Sequence, residues 1–390
     1  MKSSVLYAAF DLVPSPKGAS THITYFVRGL VAAGCQVTLI TAGDPARPGQ
    51  ETYEGATLLR APAGDDHNFL ARAMAFGRFT LAHAAAHAYD IVHVRSVWSG
   101  FPLVQQRAAL PPFKLLYEVN GLPSVEMKYH YPAVRGTAVE DKLREQELAT
   151  LLAAEAIICP AQVTAAYIAS LGVPPAKVTV IPNGIDPALF YPTPPTGPRP
   201  GEPATILYIG TLADWQGLDT LIHALPQLLA NQPVQVHIVG RGRKRQRKQL
   251  LKLATKLGVA EALHLAPAVR YEAIPGLIAQ ADICVAPLGY NDRNVTQGCC
   301  PIKVLEYMAC ARPVVAANLP VVRELARPGR EALLFTPGDP DDLARQILTL
   351  LHNPTLAADL SRQASQHAHT HFTWQLAQER LLAVYHNHLV

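Results

Sequence analysis

No stretch of this 390-residue chain approaches the roughly 20 consecutive apolar residues a membrane-crossing helix needs. Charged residues make up only 16%, against 49% hydrophobic, which excludes a disordered, self-repelling chain. Six cysteines are scattered along the sequence, none in a Cys-x-x-Cys or Cys/His zinc spacing, so neither a disulfide framework nor a structural zinc site is expected. The neighbours Cys299 and Cys300 read as two small loop residues rather than a redox pair or a soft-metal site. The net charge of +4 is too small to demand an anionic partner, though it permits one. The N-terminal MKSSVLYAAFDLVPS has one lysine and an apolar run broken by Asp11, so it reads as a first strand and not a signal peptide. Cytoplasmic residence is the expectation.

What is present is alternation. Short apolar, β-rich runs (SVLYAAF, QVTLIT, IVHV, KLLYEV, AIIC, VTVI) are separated by helix-compatible sequence, including a helix from about Thr21 to Ala33 closed by Gly34. Near-continuous apolar strands between helices imply a parallel sheet covered on both faces. Residues 191–204 are so rich in proline and glycine that no element passes through them, and the alternation restarts with TILYIG at 205. The length also exceeds one ordinary core. The expected organisation is an N-terminal Rossmann-like domain (1–190), a linker (191–204), a second Rossmann-like domain (205–370), and an amphipathic C-terminal helix (371–390) packing back on the first domain, with Phe372, Leu376, Leu381 and Val384 at near-helical spacing. Doubly wound domains bind ligands at the carboxyl ends of their strands, so two of them can face each other across a cleft.

Three segments carry candidate chemistry. In TILYIGTLADWQGLDTLIHAL a strand ends at Gly210 and a helix starts near Gly217, a turn that lets backbone N–H groups approach a phosphate. VHIVGRGRKRQRKQLLK repeats strand then Gly-x-Gly but lacks the third glycine of a dinucleotide fingerprint, which disfavours NAD. Its basic run from Arg241 to Lys248 reads as a solvated helix face or a contact with anionic lipid; without interleaved aromatics, nucleic acid is the poorest reading. In PIKVLEYMACARPVV, Lys303 stands in the first turn of a helix, where the dipole already disfavours a cation by ~0.3–1 kcal/mol. A diphosphate held by Lys303 and the helix N-terminus would resolve that conflict, with Glu306 one turn deeper accepting both hydroxyls of a ribose. The alternative is a plain Lys/Glu surface pair.

The segments IPNGID (181–186), ILYIGTLADWQGLDTLI (206–222), VHIVGRG (236–242), ADICVAPL (281–288) and PIKVLEYMACARPVVA (301–316) resemble, in order and spacing, the nucleotide-sugar-dependent glycosyltransferases of family 4. PSPKGASTHITYFVRGLVAAGCQVTLIT and DIVHVRS are similar to that family's N-terminal half, so the resemblance spans almost the whole chain. It implies an α/β, GT-B fold of two facing Rossmann-like domains. It implies that Glu306, matching the second glutamate of the family's E-x7-E motif, holds the donor ribose, and that Lys303 is a diphosphate ligand. The first glutamate's place is taken by Gly298, so donor-sugar contacts would fall to the backbone around Cys299, Cys300 and Ile302. Thr211 and Gln216 stand where many members carry Arg and Lys after Gly210, leaving Lys303, with Arg241 or Arg293, to supply positive charge. Asn120 stands where a histidine near the reacting sugar is frequent, and Gly18, after Lys17, opens the loop that approaches the donor phosphates and acceptor.

The resulting expectation is a retaining hexosyltransferase using a nucleoside-diphosphate sugar, a UDP-sugar first, with no metal and no further cofactor, and with Lys303 and Asn120 as catalytic residues. The acceptor, whether glycan, lipid or small molecule, is not encoded in any motif. Location would be cytoplasmic, with peripheral contact at the inner face of the membrane through Arg241 to Lys248. A non-catalytic GT-B partner, a sugar-nucleotide epimerase and a phosphorylase remain open alternatives at this level.

Overall fold

The computed structural model describes residues 3–62, 68–193 and 201–389. The proline-rich residues 194–200, half of the expected linker, lie outside that range.

The chain forms two compact units, the first comprising residues 1–182, 297–299 and 375–390, the second 183–296 and 300–374. The break therefore falls at Pro182/Asn183, ahead of the proline-rich stretch. Residues 183–190 pack with the second unit: Ile185 bridges Thr373, and the Phe190 ring lies 5.2 Å from that of Tyr271.

The first unit is built on an eight-stranded sheet of β1 (Ser4–Ala9), β2 (Gln36–Thr41), β3 (Gln50–Tyr53), β4 (Ala56–Arg60), β5 (Ile91–Val94), β6 (Lys114–Glu118), β7 (Ala156–Cys159) and β8 (Val178–Val180), in the order β3-β4-β2-β1-β5-β6-β7-β8. Every pairing is parallel except β3 with β4. Val5 pairs with Val37 on one side and Ile91 on the other, which fixes β1 as the central strand. Helices on both faces leave Val5 to Ala9 without solvent contact, the physical reason these strands read as unbroken apolar runs.

The second unit carries six parallel strands, β9 (Ala204–Ile209), β10 (Val234–Val239), β11 (Leu263–Ala266), β12 (Ile283–Ala286), β13 (Val314–Ala317) and β14 (Leu333–Phe335), in the order β11-β10-β9-β12-β13-β14. This is the doubly wound 3-2-1-4-5-6 arrangement, with its switch point between β9 and β12. The corresponding reversal in the first unit lies between β1 and β5. Both sheets are thus Rossmann-like, and sheets of this kind bind ligands where the two switch strands end.

Three strands escape the apolar-run criterion. The β3–β4 hairpin is short and polar on one side, and turns through Glu54 and Gly55, both at positive φ (51° and 80°). β14 is only three residues long. The expected C-terminal helix over 371–390 begins only at Trp374, running Trp374–Val384 with a π turn over Tyr385–Leu389; His371 instead closes a preceding helix, Pro354–His371, and a break separates the two. Phe372 lies in the break and not on the helical stripe: its carbonyl accepts from the Ile185 amide (2.8 Å). Residues 375–390 group with the first unit, where the Tyr385 hydroxyl lies 2.9 Å from Nδ1 of the buried His93.

Candidate active site

At the switch point of the second unit, β9 runs into Gly210 and a short turn over Asp214–Gln216, then into a helix Leu218–Asn231 whose N-cap, Gly217, has φ 66°. A side chain at Gly217 would also collide with the Pro287 carbonyl, so only glycine permits this entry. β12 leads through residues 287–301 to the helix Ile302–Ala309, with Pro301 as N-cap. Val304, Leu305, Tyr307, Met308 and Ala309 are fully buried, and the Tyr307 hydroxyl accepts the Ile209 amide at 2.7 Å, tying this helix to the end of β9.

Lys303 and Glu306 ride on that helix and are only 7% and 4% exposed. A surface ion pair is thereby ruled out. The Lys303 ammonium turns toward the loop after β9, donates to Gln216 Oε1 and to the Tyr208 hydroxyl (3.1 Å), and lies 4.4 Å from the Tyr208 ring centre. The Tyr208 hydroxyl in turn donates to the Thr211 carbonyl at 2.6 Å. A Cβ on Gly210 would come within 2.9 Å of Lys303 Nζ and Cε, so the lysine reaches across the residue that lacks a side chain. Gln216, at a position where many members of the resembling family carry a cation, instead orients Lys303.

Glu306 differs. No hydrogen-bond donor among the described residues reaches its carboxylate; burial raises its pKa to about 7, against the opposing pull of Lys303. A buried carboxylate without a donor carries a desolvation penalty of ~1–3 kcal/mol or more, so such groups usually have a role outside the folded chain itself. Its two oxygens are acceptors only when ionised, the chemistry suited to a pair of adjacent hydroxyls.

The remaining second-unit residues gather around the same strand ends. The Arg241 carbonyl accepts the Leu212 amide (2.9 Å), which holds the VGRG turn against the loop after Gly210. Arg293 stacks over Trp215, 5.1 Å from the ring centre. Ile302 is the first residue of the helix carrying Lys303, and the Cys300 carbonyl accepts the Asn183 amide group at 2.9 Å. Arg247, counted in the basic run, donates to the Gly240 and Ala266 carbonyls (2.6 and 2.9 Å) and so fastens its own helix to the sheet.

The first unit brings together Gly18, Asn120 and a cluster absent from the sequence reading. Gly18 opens the helix Gly18–Ala32, and His22 one turn later points into the sheet. At the end of β6, Glu118, only 1% exposed, accepts from Arg95 Nε (2.7 Å), the Tyr7 hydroxyl (2.6 Å) and Asn120 Nδ2. The Nε2 atoms of His22 and His93 also approach its oxygens, to 2.8 and 3.0 Å, as close contacts without good hydrogen-bond alignment. Burial opposes ionisation of Glu118, yet Arg95 and the imidazoles hold its carboxyl well below the ordinary range. Arg95 spans outward to Asp11 at 2.9 Å. Glu118 thus joins the ends of β1, β5 and β6 to the second turn of the Gly18 helix. The available signal was an acid closing the otherwise apolar KLLYEV run.

Gly298, at the place of the missing glutamate, has φ 81°, and a Cβ there would lie 2.7 Å from Thr164 Oγ1. Both features oppose any side chain at this position. Cys299 groups with the first unit and Cys300 with the second; among the described residues no cluster of three or more His, Cys, Asp or Glu is placed to hold a metal. No helix among them is long and apolar enough to cross a membrane.

The geometry can be set beside known proteins. Residues 16–189 match the model of Glycosyltransferase Family 4, and residues 203–353 that of Glycosyl transferases group 1. The chain is 28% identical to D-inositol 3-phosphate glycosyltransferase 1 of Catenulispora acidiphila, over 94% of its own length and 90% of the relative's. It is 26% identical to glycogen synthase of Mycobacterium tuberculosis, over 94% and 90%. Among solved structures, sucrose-phosphate synthase of Thermosynechococcus elongatus superposes with a TM-score of 0.83 at 21% identity, covering 99% of this chain and 98% of the other. Anabaena HepE in complex with UDP and glucose does so at 0.77 and 18% identity, covering 99% and 100%. With a family 4 match on its N-terminal half and a group 1 match on its C-terminal half, this chain is a glycosyltransferase of the GT-B type.

Proposed function

We propose that the protein transfers a hexose-type sugar, with retention, from a nucleoside diphosphate sugar bound at the β9/β12 switch point of its second unit. The single observation carrying this reading is the buried, donor-free carboxylate of Glu306 one turn beyond Lys303. Ribose hydroxyls would donate to Glu306, and the diphosphate would lie at the N-terminus of the Ile302–Ala309 helix near Lys303. Charge developing on the departing diphosphate is then met by helix dipole, backbone N–H groups and the lysine ammonium, so the proposed reaction calls on no covalent nucleophile and no metal. A uridine nucleotide is the first choice; HepE is solved with UDP and UDP-glucose, whereas Arabidopsis starch synthase IV is solved with ADP. The acceptor is a hydroxyl compound of a class left open.

Calorimetric titration with UDP, GDP and ADP, each with and without magnesium, tests the donor site. Micromolar binding of one of them is expected. Glu306→Ala should weaken that binding at least tenfold, because a hydrogen bond to a charged group contributes ~1.5–3 kcal/mol. An unchanged Kd would remove Glu306 from the site.

The pH dependence has a definite sign. The folded-state pKa of about 7 lies above the unfolded value, so proton binding favours the folded state, and stability falls as pH rises from the unfolded pKa toward 7. Ribose needs the ionised form, so nucleotide affinity should rise with pH through about 7 in the wild type. Glu306→Gln keeps any titration of the nucleotide itself but should lose this component. Identical pH profiles for the two proteins would contradict it.

The helix Lys244–Lys256 supports a second, compatible reading. Lys244, Arg245, Lys248 and Lys252 are exposed, and no acid lies on the helix. Peripheral contact with anionic lipid through Arg241 to Lys248 is expected to give sedimentation with vesicles containing phosphatidylserine, lost by raising salt. Equal sedimentation with neutral vesicles, or none, would sink it.

A further inference from the structure

Glu118 sits in the first unit, is not among the residues implied by the family resemblance, and forces an orientation on Asn120. An ionised carboxylate has no proton to donate, and the guanidinium of Arg95 together with the depressed pKa keeps Glu118 ionised. Every group bonded to it must therefore offer a hydrogen. For Asn120 this removes the usual ambiguity of a side-chain amide: Nδ2 faces Glu118, and Oδ1, which has no donor among the described residues, is left to accept. The opposite rotamer would set oxygen against oxygen beside a buried charge.

We infer that Glu118 is a positioning residue that locks the Asn120 amide, so that Asn120 presents a hydrogen-bond acceptor to a sugar hydroxyl at the carboxyl end of the first unit's sheet. The ligand group selected is a donor; a phosphate or carboxylate oxygen would be refused at this atom. Asn120 is half-buried, so Oδ1 is within reach of a ligand, whereas Glu118 is enclosed and acts only through its neighbours. The inference deepens the proposed function and rests on it for the presence of a sugar. The amide orientation itself does not.

The test is a double-substitution cycle on donor breakdown, with UDP-glucose, ADP-glucose and GDP-glucose as probes and nucleotide release as readout, alongside nucleotide Kd by calorimetry. Asn120→Ala and Glu118→Ala, each shown by circular dichroism to be folded at the assay temperature, should each lower kcat about tenfold or more, leave nucleotide Kd within about threefold, and together lose no more than either alone, the signature of two residues acting as one unit. Asn120→Asp sets a second carboxylate against Glu118, and one of the pair then holds a proton. Its kcat should therefore recover as the pH is lowered, while that of Asn120→Ala does not. Additive losses, or full kcat in Asn120→Ala, would overturn the inference.

A second measurement needs no donor. In an amide-labelled NMR spectrum of the wild type, the Asn120 side-chain protons should exchange slowly and be shifted from free-amide positions, and Glu118→Ala, which leaves no acceptor there, should abolish both effects. Fast exchange in a folded wild type would refute the lock whatever nucleotide is bound. Failure of all three nucleotides to bind would instead count against the Glu306 and Lys303 site, leaving this arm to decide the Glu118–Asn120 contact.

Discussion

Replacing Lys303 by alanine should lower turnover by about 10²–10³ while changing nucleotide Kd far less, because removing one preorganised donor to developing charge costs ~3–4 kcal/mol in the transition state and much less in the ground state. The basis is the fixed path of this side chain. It leaves the first turn of the Ile302–Ala309 helix, passes over Gly210 and is held by Gln216 and the Tyr208 hydroxyl. Such an ammonium is oriented before the substrate arrives, so little reorganisation remains when the leaving group gains charge. The measurement is kcat and KM for donor breakdown beside nucleotide Kd. Equal losses in kcat and in binding would make Lys303 a binding residue only. Gln216→Ala should show a weaker form of the same pattern, since it frees the lysine without removing it.

Glu118→Ala is expected to destabilise the first unit by ~3–5 kcal/mol, the range for breaking a buried ion pair by removing one partner. Among the described residues Arg95 would keep only Asp11 as an ion-pair partner, itself partly exposed, while the Tyr7 hydroxyl would lose its acceptor inside the sheet. That is a large fraction of a typical domain's ~5–15 kcal/mol. Urea unfolding followed by circular dichroism would show an earlier transition, and with two units the curve should be fitted for more than one step. A midpoint within error of the wild type would mean the cluster contributes position and not stability. The pH sign is opposite to that of Glu306. Glu118 has a depressed folded pKa, so its contribution is in place above the unfolded carboxyl pKa and is lost as pH falls through the depressed value. Arg95 is consistent with this: burial opposes its charge, and Glu118, Tyr7 and Asp11 together outweigh burial.

The two carboxylates show why part of the chemistry was legible in the sequence and part was not. Glu306 could be found from local spacing, because helix periodicity puts positions 303 and 306 on one face and a helix N-terminus has a known polarity. Glu118 could not, since its partners come from positions 7, 22, 93, 95 and 120, and only the strand order β1-β5-β6 brings them together. Gln216 is a middle case. In sequence its loop lacks cations, and in the structure it orients the cation on another element.

The sequence by itself determined the two parallel sheets, through apolar runs that must be buried on both faces, and the polarity of the helix that carries Lys303 and Glu306. It also determined a break in the alternation near residue 190, since proline and glycine stop both helices and strands. Tertiary structure alone decided the strand order, the switch points, the burial that raises the pKa of Glu306 while Arg95 lowers that of Glu118, and the division of the C-terminal segment at Phe372. The reason is range: periodicity and propensity act over a few residues, whereas charge burial and hydrogen-bond partnership depend on neighbours such as those 111 and 95 positions away that hold Glu118 and Lys303.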